Sequence, residues 1–470
     1  MKTVLAFDFG ASTGRAIKAV FDGGSIRYEE IHRFENIPVT VDGHICHDVD
    51  MIFREIKSAI GKAGEIDSMA FDTWGVDYAF LDKEGNILHA PFHYRDERTK
   101  CALDKAFAKI SADEIYSETG NQIMNINTLF QLICDDNIHK ADKLLFMPDL
   151  FSYLLTGEKV CETTIASTSQ MLNPLTKRWS EKVTDAFGIS RTLFPKICQS
   201  ATVNGSYKGI SVVSVAGHDT QCAVAAMPCE SENAAFLSCG TWSLIGCELD
   251  YPVMTAKSNA LELSNEVGAN GKINFLKNIS GLWLIQETRR DLEKTDRKYS
   301  YNELELLARE SESFRSFVDP DAPELSAHGN LPDKIRDYCR KTNQPVPETV
   351  GQVVRCIYES LALKYRLALD QISECTGKKF DVLHLMGGGT KDGFLCELAS
   401  QSLGIPVIAG PVEATALGNI VLQLISLGEI SSIEEGRRII AENEKVKTFK
   451  CDHTPDWDKA FQRFCEILKK

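Results

Sequence analysis

The chain has 470 residues, 43% apolar and 25% charged, the balance of a globular protein and too long for one ordinary core. Its net charge is −14, from 52 Lys and Arg against 66 Asp and Glu, and no basic stripe stands out, which argues against nucleic acid or an anionic membrane as partner. No apolar run reaches membrane-spanning length, and the apolar run in "MKTVLAFDFG" is too short for a signal peptide, so a cytoplasmic protein is expected.

Taken in order, "TVLAFDFG" reads as a strand ending in the carboxylate of Asp8. After Gly-Ala-Ser-Thr-Gly-Arg, two further alternating runs flank the turn Asp22-Gly23-Gly24, so residues 3–34 read as three consecutive antiparallel strands. Asp48 to Ala63 has helical period, and "IDSMAFDTWGVDYAFLD" reads as a strand and its continuation. Helical patterns dominate residues 100–200. A buried strand at 209–216 then leads into "GHDTQCAVAAMP". Residues 232–249 repeat the opening theme of strand, small Gly-Thr-Trp-Ser turn and returning strand. The repeat suggests two related halves joined near Pro228–Asn233, hence domains 1–230 and 231–470. Ser300…Glu303 and Thr349…Gln352 read as capping boxes. The second opens a helix with a core stripe at Val350, Val354, Ile357, Leu361, Ala368 and Ile372. "FDVLHLMGGGTKDGFLCELASQSLGIPVIAGP" reads as strand, glycine bend, helix, strand. The fold class is therefore α/β with two lobes.

The fifteen cysteines are scattered and none forms C-x-x-C, so buried thiols are expected, with a disulfide or two left open. "HICHD" (His44, Cys46, His47, Asp48) has the residue types of metal ligands, but strand alternation would turn His47 away from His44 and Cys46. Three Gly-rich elements suit close backbone approach to a phosphate or a flat ligand: Gly10–Arg15, Ser238–Ser243 and Gly387-Gly388-Gly389-Thr390. Each is equally an ordinary turn. Asp8 has the hard oxygen donors that Mg²⁺ takes, or bonds its own turn. Asp72, Trp74 and Asp77 in "DTWGVD" suit a polyol wall with an aromatic platform, although Trp74 suits core packing as well. Arg95 and Asp96 read as a pair. No G-x-x-x-x-G-K-[ST] and no G-x-G-x-x-G occurs, which argues against a P-loop and a typical dinucleotide fold. Asp219, between a buried strand and small apolar residues, reads as a helix cap, a base, or both.

The order of these elements resembles the FGGY carbohydrate kinases, within the actin–hexokinase–Hsp70 superfamily. The motifs "DFGASTGR", "DTWGVDYAFLDKEGN", "HYRDERT", "MPDLFSYLLTGE", "AGHDT", "SCGTWSLIG", "LKNISGLWLIQE", "MGGGTKD" and "AGPVEATALGN" carry the resemblance over nearly the whole chain. It implies two ribonuclease-H-like lobes with nucleotide and sugar in the cleft between them. The lobe 1–230 would then bind sugar and supply the base, and the lobe 231–470 would bind ATP. The implied reaction is ATP-dependent phosphorylation of L-rhamnulose at O1 with Mg²⁺, by a monomer or homodimer. Alternatives are another ketose or deoxysugar (L-fuculose, xylulose, ribulose) and a non-catalytic sugar sensor. By resemblance, Asp219 matches the catalytic base, and Ala11, Ser12, Thr13, Gly14 and Arg15 match the first phosphate loop. Gly75, His218, Asp219, Thr220 and Asn278 match the sugar site; Thr241, Gln286 and Gly388 match the ATP site. Thr13, where members often have Ser, is a conservative departure.

Overall fold

The computed structural model describes every residue except Ala11, Glu230 and Lys470. The first three strands form as their alternation predicts: β1 (Lys2–Phe9), β2 (Thr13–Phe21) and β3 (Ile26–Glu35) pair antiparallel in succession. Asp22 closes the β2–β3 turn by accepting the N–H of Ser25 at 2.9 Å, with Gly23 at a positive φ of 100°. β4 (Ser68–Thr73) adds parallel to the other side of β1. β5 (Thr202–Tyr207) and β6 (Ile210–Ser214) form an antiparallel pair, with β6 parallel to β4. The sheet order is β5-β6-β4-β1-β2-β3. β1 and β4 are central and covered on both faces, which is why they read as near-continuous apolar runs rather than alternating ones. Helix α1 (Val49–Ala63) starts where Asp48 accepts the N–H of Met51 at 2.8 Å, and buries Ile52, Ile56, Ala59 and Ala63 along one face. Helix α2 (Asp219–Ala225) follows β6 and is buried almost throughout.

The second half follows the same plan. β7 (Ala234–Cys239) pairs antiparallel with β8 (Trp242–Leu249), and β9 (Ile273–Ser280) lies next to β8. β10 (Val382–Met386) adds parallel to β7, β11 (Val407–Ala409) parallel to β10, and β12 (Lys447–Phe449) closes the edge antiparallel. In both halves a strand, a tight turn and a returning strand are followed by two parallel strands on the far side of the first, so the weak repeat in the sequence is a repeat of topology; in the second half the strand Ser264–Val267 comes between β8 and β9 in the chain and lies at the sheet edge beyond β9. The two differ at the outer edge, where β5 precedes β6 but β12 follows β11. Helix α3 (Trp283–Thr295), helix α4 (Val350–Thr376) and helix α5 (Gly393–Leu403) belong to this half. Both predicted capping boxes are made, at Ser300/Glu303 and Thr349/Gln352. The stripe on α4 is buried from Val354 to Ile372, while Val350, in the first turn, is only half-buried.

The chain divides into two compact units: residues 1–228, 248–275 and 413–444 form the first, and 229–247, 276–412 and 445–470 the second. Helix α6 (Ala414–Ser426) thus packs in the first unit, against α2 and β1. Residues 100–200 hold short helices such as Ala112–Thr119 and Met147–Thr156, but also the strands Lys143–Phe146 and Val160–Glu162. Apolar runs that short have no period to separate strand from helix. None of the fifteen cysteines is joined in a disulfide. Among the described residues no helix is long and apolar enough to cross a membrane.

Candidate active site

In the first unit the predicted residues collect at the C-terminal ends of the parallel strands β1, β4 and β6. Asp8 and Asp72 are paired in register on β1 and β4, and Thr73 N–H bonds the carbonyl of Gly217 at 2.9 Å where β6 gives way to α2. The β1–β2 turn is tied by Gly10 N–H donating to Thr13 O at 2.9 Å. Ser12 and Thr13 are exposed on it, and Ala11 lies outside the described residues. Gly14 lies under the ring of Phe34, where a Cβ would come within 2.2 Å of Cζ. Arg15, opposite Asp8 on β2, makes a salt bridge to Asp8 and another of 2.5 Å to Glu413. Burial alone would lower the Arg15 pKa, but Asp8 and Glu413 raise it more. Burial pushes the Asp8 carboxyl up, against the pull of Arg15.

Asp219 is the first residue of α2, and the N-cap is His218, so the expectation that Asp219 itself caps the helix is corrected by one residue. Its Oδ1 accepts the N–H of Thr220 at 2.5 Å and lies 3.5 Å from His218 Nε2. Burial raises the Asp219 pKa, His218 lowers it, and Asp8 raises it again. A carboxylate whose pKa is raised and which is still partly open to solvent is a stronger proton acceptor than an ordinary aspartate. His218 Nδ1 lies 2.9 Å from Glu266, in the strand Ser264–Val267. Burial opposes protonation of His218, yet Glu266, Asp219 and Glu162 offset it and its pKa is raised. Glu162 is 1% exposed and its carboxylate accepts from Gly217 N (2.9 Å), Thr164 N (2.8 Å), Thr164 Oγ1 (2.6 Å), Ile165 N (3.2 Å) and Ser200 Oγ (2.7 Å). It holds the backbone just ahead of His218. Thr220 is buried beside Asp219, and Gly75 is half-buried against Thr168, where a Cβ would meet the side chain at 3.2 Å.

"DTWGVD" turns inward rather than forming a polyol wall. Asp72 is fully buried, bonded by Asn419 Nδ2 at 2.6 Å, and its pKa is pushed well up by burial and then by Asp8. Trp74 Nε1 donates to Asp77 at 2.9 Å, and Asp77 also binds His47 at 2.7 Å and Gln131 at 2.9 Å. The residues of "HICHD" take separate partners: His47 goes to Asp77, His44 lies 3.0 Å from Asp96, and Asp48 caps α1. Asp96 takes His44 and the N–H groups of Ile45 and Arg98, while Arg95 donates to Tyr94 Oη, so the expected Arg95–Asp96 pair is not made.

In the second unit the β7–β8 turn repeats the first: Gly240 N–H donates to Trp242 O at 2.8 Å. The carbonyl of Thr241 accepts from Gly281 N and Trp283 N at 3.0 and 3.2 Å, and its hydroxyl reaches Gln286 on α3 at 3.4 Å. The glycine bend follows β10. Gly387 has φ of 81°, and a Cβ on Gly389 would fall 2.3 Å from Cys239 Sγ. Gly388 is exposed at the apex. Thr241, Gln286 and Gly388 thus gather around the ends of β7 and β10. Asn278 is half-buried on β9. Glu162, Glu266, Glu413 and Asn419 were not singled out in the sequence. The available signal was a lone carboxylate in the short strand Val160–Glu162 for Glu162 and the "AGPVEATALGN" motif for Glu413 and Asn419, while the polar run Ser264–Val267 offers none for Glu266.

Residues 3–236 match the N-terminal domain, and residues 235–427 the C-terminal domain, of the FGGY family of carbohydrate kinases. The rhamnulokinase of Bacteroides thetaiotaomicron is 41% identical over 99% of this chain and 99% of its own length. That of Ligilactobacillus salivarius is 37% identical over 100% and 99%. Among solved structures, the ligand-bound xylulose kinase of Lactobacillus acidophilus superposes with a TM-score of 0.81 over 100% of this chain and 98% of its own, at 17% identity, a likeness of fold.

Proposed function

We propose, from the premise that this chain belongs to the FGGY family of carbohydrate kinases, that it phosphorylates L-rhamnulose at O1 with ATP, giving L-rhamnulose 1-phosphate and ADP. The observation that carries the reading is Asp219. It is the carboxyl that opens α2, just beyond the buried parallel strand β6, with Gly217 ahead of it held by Glu162 and ring partner His218 held by Glu266. Phosphoryl transfer asks a protein for positioning and charge stabilisation more than for covalent chemistry. The sugar O1 attacks the γ-phosphorus in line while its proton passes to Asp219. The bond from that phosphorus to the bridging oxygen breaks, and ADP carries away the electron pair.

The other assignments follow the same reading. Ser12, Thr13, Gly14 and Arg15 form the first phosphate loop with Ala11; Gly75, His218, Thr220 and Asn278 bind the sugar; Thr241, Gln286 and Gly388 bind ATP. The lobe 1–230 serves sugar and base and the lobe 231–470 serves ATP. Among the described residues no group of three or more His, Cys, Asp and Glu converges as a metal cage. A single carboxylate suits Mg²⁺, which keeps several waters and binds through one or two carboxylates plus substrate phosphates. Asp8 is the residue that fits, with Arg15 favouring its ionised form. When bound, the ion neutralises phosphate charge. A coupled ADP-release assay across L-rhamnulose, L-fuculose, xylulose and ribulose tests the assignment. The highest kcat/KM is expected with L-rhamnulose; a better substrate among the others reassigns the sugar, and sugar-independent ATP consumption ends the kinase reading.

A further inference from the structure

We propose that Glu266 is a positioning residue of this site, which keeps the His218 ring cationic and aimed at Asp219 so that Asp219 stays ionised and able to accept the sugar proton. The proposal rests on the reading of Asp219 as the base.

The geometry separates the ring from its backbone. The main chain at 217–218 is already held without Glu266: Gly217 N–H donates to Glu162 at 2.9 Å, Gly217 O accepts from Thr73 N–H at 2.9 Å, and His218 N–H donates to Thr164 Oγ1 at 3.3 Å. Glu266 acts only on side chains. It is 4% exposed, and the same oxygen, Oε2, meets His218 Nδ1 at 2.9 Å and Gln221 Nε2 at 2.6 Å. Gln221 is fully buried two residues after Asp219 on α2, and its own oxygen accepts from Asn274 Nδ2. The carboxylate is therefore fixed in place from two directions.

The ring then has a carboxylate at each nitrogen, Glu266 at Nδ1 and Asp219 at 3.5 Å from Nε2. A neutral imidazole has one N–H and one lone pair. It can donate to only one of the two carboxylates and must turn its lone pair on the other. The imidazolium turns an N–H toward each, hydrogen-bonding Glu266 and pairing by charge with Asp219. The groups facing the ring are Glu266 from its strand, Asp219 from α2 and Glu162 from Val160–Glu162, all of which favour the cation. The charged groups acting on Asp219 are His218, which favours the carboxylate, and Asp8, which with burial opposes it, while the N–H and hydroxyl of Thr220 also favour the carboxylate. Asp72, buried next to Asp8 in register, feels Asp219 as well. His218 is thus the positive charge that counters burial and two neighbouring acids, and Glu266 sustains that charge.

The test is the pH profile of kcat/KM for sugar phosphorylation in wild type, Glu266→Gln and Asp219→Asn. Glu266→Gln removes the charge at nearly constant shape. The acidic limb is expected to move to higher pH by about one unit, because the cation that lowers the Asp219 pKa is lost near neutral pH. A uniform loss at all pH with the limb unmoved overturns the proposal and leaves Glu266 a structural residue. Should Asp219→Asn keep its turnover, the reading of the base fails; should Asp219→Asn be inactive while the Glu266→Gln limb stays put, only this inference fails. A second measurement does not depend on the variant folding. In the wild type, the His218 ring followed by ¹⁵N NMR should titrate above the ordinary ~6.5 of histidine, and a midpoint below that value overturns the proposal.

Discussion

Gly418 and Cys222 bring α6 and α2 together at a separation that only glycine allows. A Cβ on Gly418 would lie 1.8 Å from the carbonyl oxygen of Cys222 and 2.6 Å from its carbonyl carbon. These are backbone atoms and cannot swing aside. Gly418→Ala must push α2, the helix that begins with Asp219, off the sheet. We expect a loss of about 1–3 kcal/mol or more in urea unfolding, with kcat falling alongside it. Wild-type stability and activity in this variant would show that α6 yields freely.

Asp219→Asn removes the proposed proton acceptor and keeps the shape. Turnover is expected to fall below about a tenth of wild type, with ATP affinity changed only a few-fold. Rapid-quench assay and nucleotide titration separate the two quantities. Retained turnover assigns the base elsewhere.

Arg15 neutralises two partly buried acids, Asp8 and Glu413. Arg15→Met leaves both without their cation, a loss of about 3–5 kcal/mol for a buried pair broken on one side. Chemical denaturation reads this directly, and a change under about 1 kcal/mol would mean that the pair is spread apart in solution.

His93 gives stability a slope on the acid side. It is buried, and burial first, then the His47 and Arg95 charges, press its pKa down to about 4 against the pull of Asp77 and Asp96. In the unfolded chain it titrates near ~6.5. Between those values the unfolded state binds the extra proton, so stability falls as pH drops from about 6.5 to 4, by about 3 kcal/mol from this group. Nδ1 accepts the N–H of Arg95 at 3.0 Å, a role that an Asn oxygen can fill. His93→Asn should flatten the slope in that window; an unchanged slope would place the proton uptake on other groups.

Glu162→Ala orphans five donors around the loop that leads to His218: three N–H groups and the hydroxyls of Thr164 and Ser200. Leaving buried donors unmade costs about 1–3 kcal/mol each, so a loss of at least about 3 kcal/mol is expected. In whatever fraction remains folded, kcat should fall while the KM for ATP changes little, since the loop carries the proposed base and not the residues proposed for the nucleotide. Equal effects on both would argue against a local role.

Much of the architecture was legible before any coordinates. The strands of residues 3–34, the strand within 209–216, the two Gly-rich turns and the bend at 387–389 are local patterns. An apolar run, an alternation or a cluster of small residues needs no distant partner to be recognised. Metal ligation by "HICHD" could be doubted on strand alternation alone. The Arg95–Asp96 pair failed for the opposite reason. Neighbours in sequence were outcompeted by His44 and the N–H of Ile45, more than fifty residues before Asp96.

What the sequence determined by itself is therefore the order of the elements, the α/β class, the repeated strand–turn–strand theme and the family likeness. What only the tertiary structure decided is which charges meet. Glu413 reaches Arg15 across 398 positions, Asn419 reaches Asp72 across 347, and Glu266 reaches His218 across 48. Residues 413–444 join the first unit although more than a hundred residues of the second precede them. The reason is physical. Periodicity is written in the few residues of each strand or helix, whereas an ion pair exists only once separate strand ends have been carried to the same edge of a sheet.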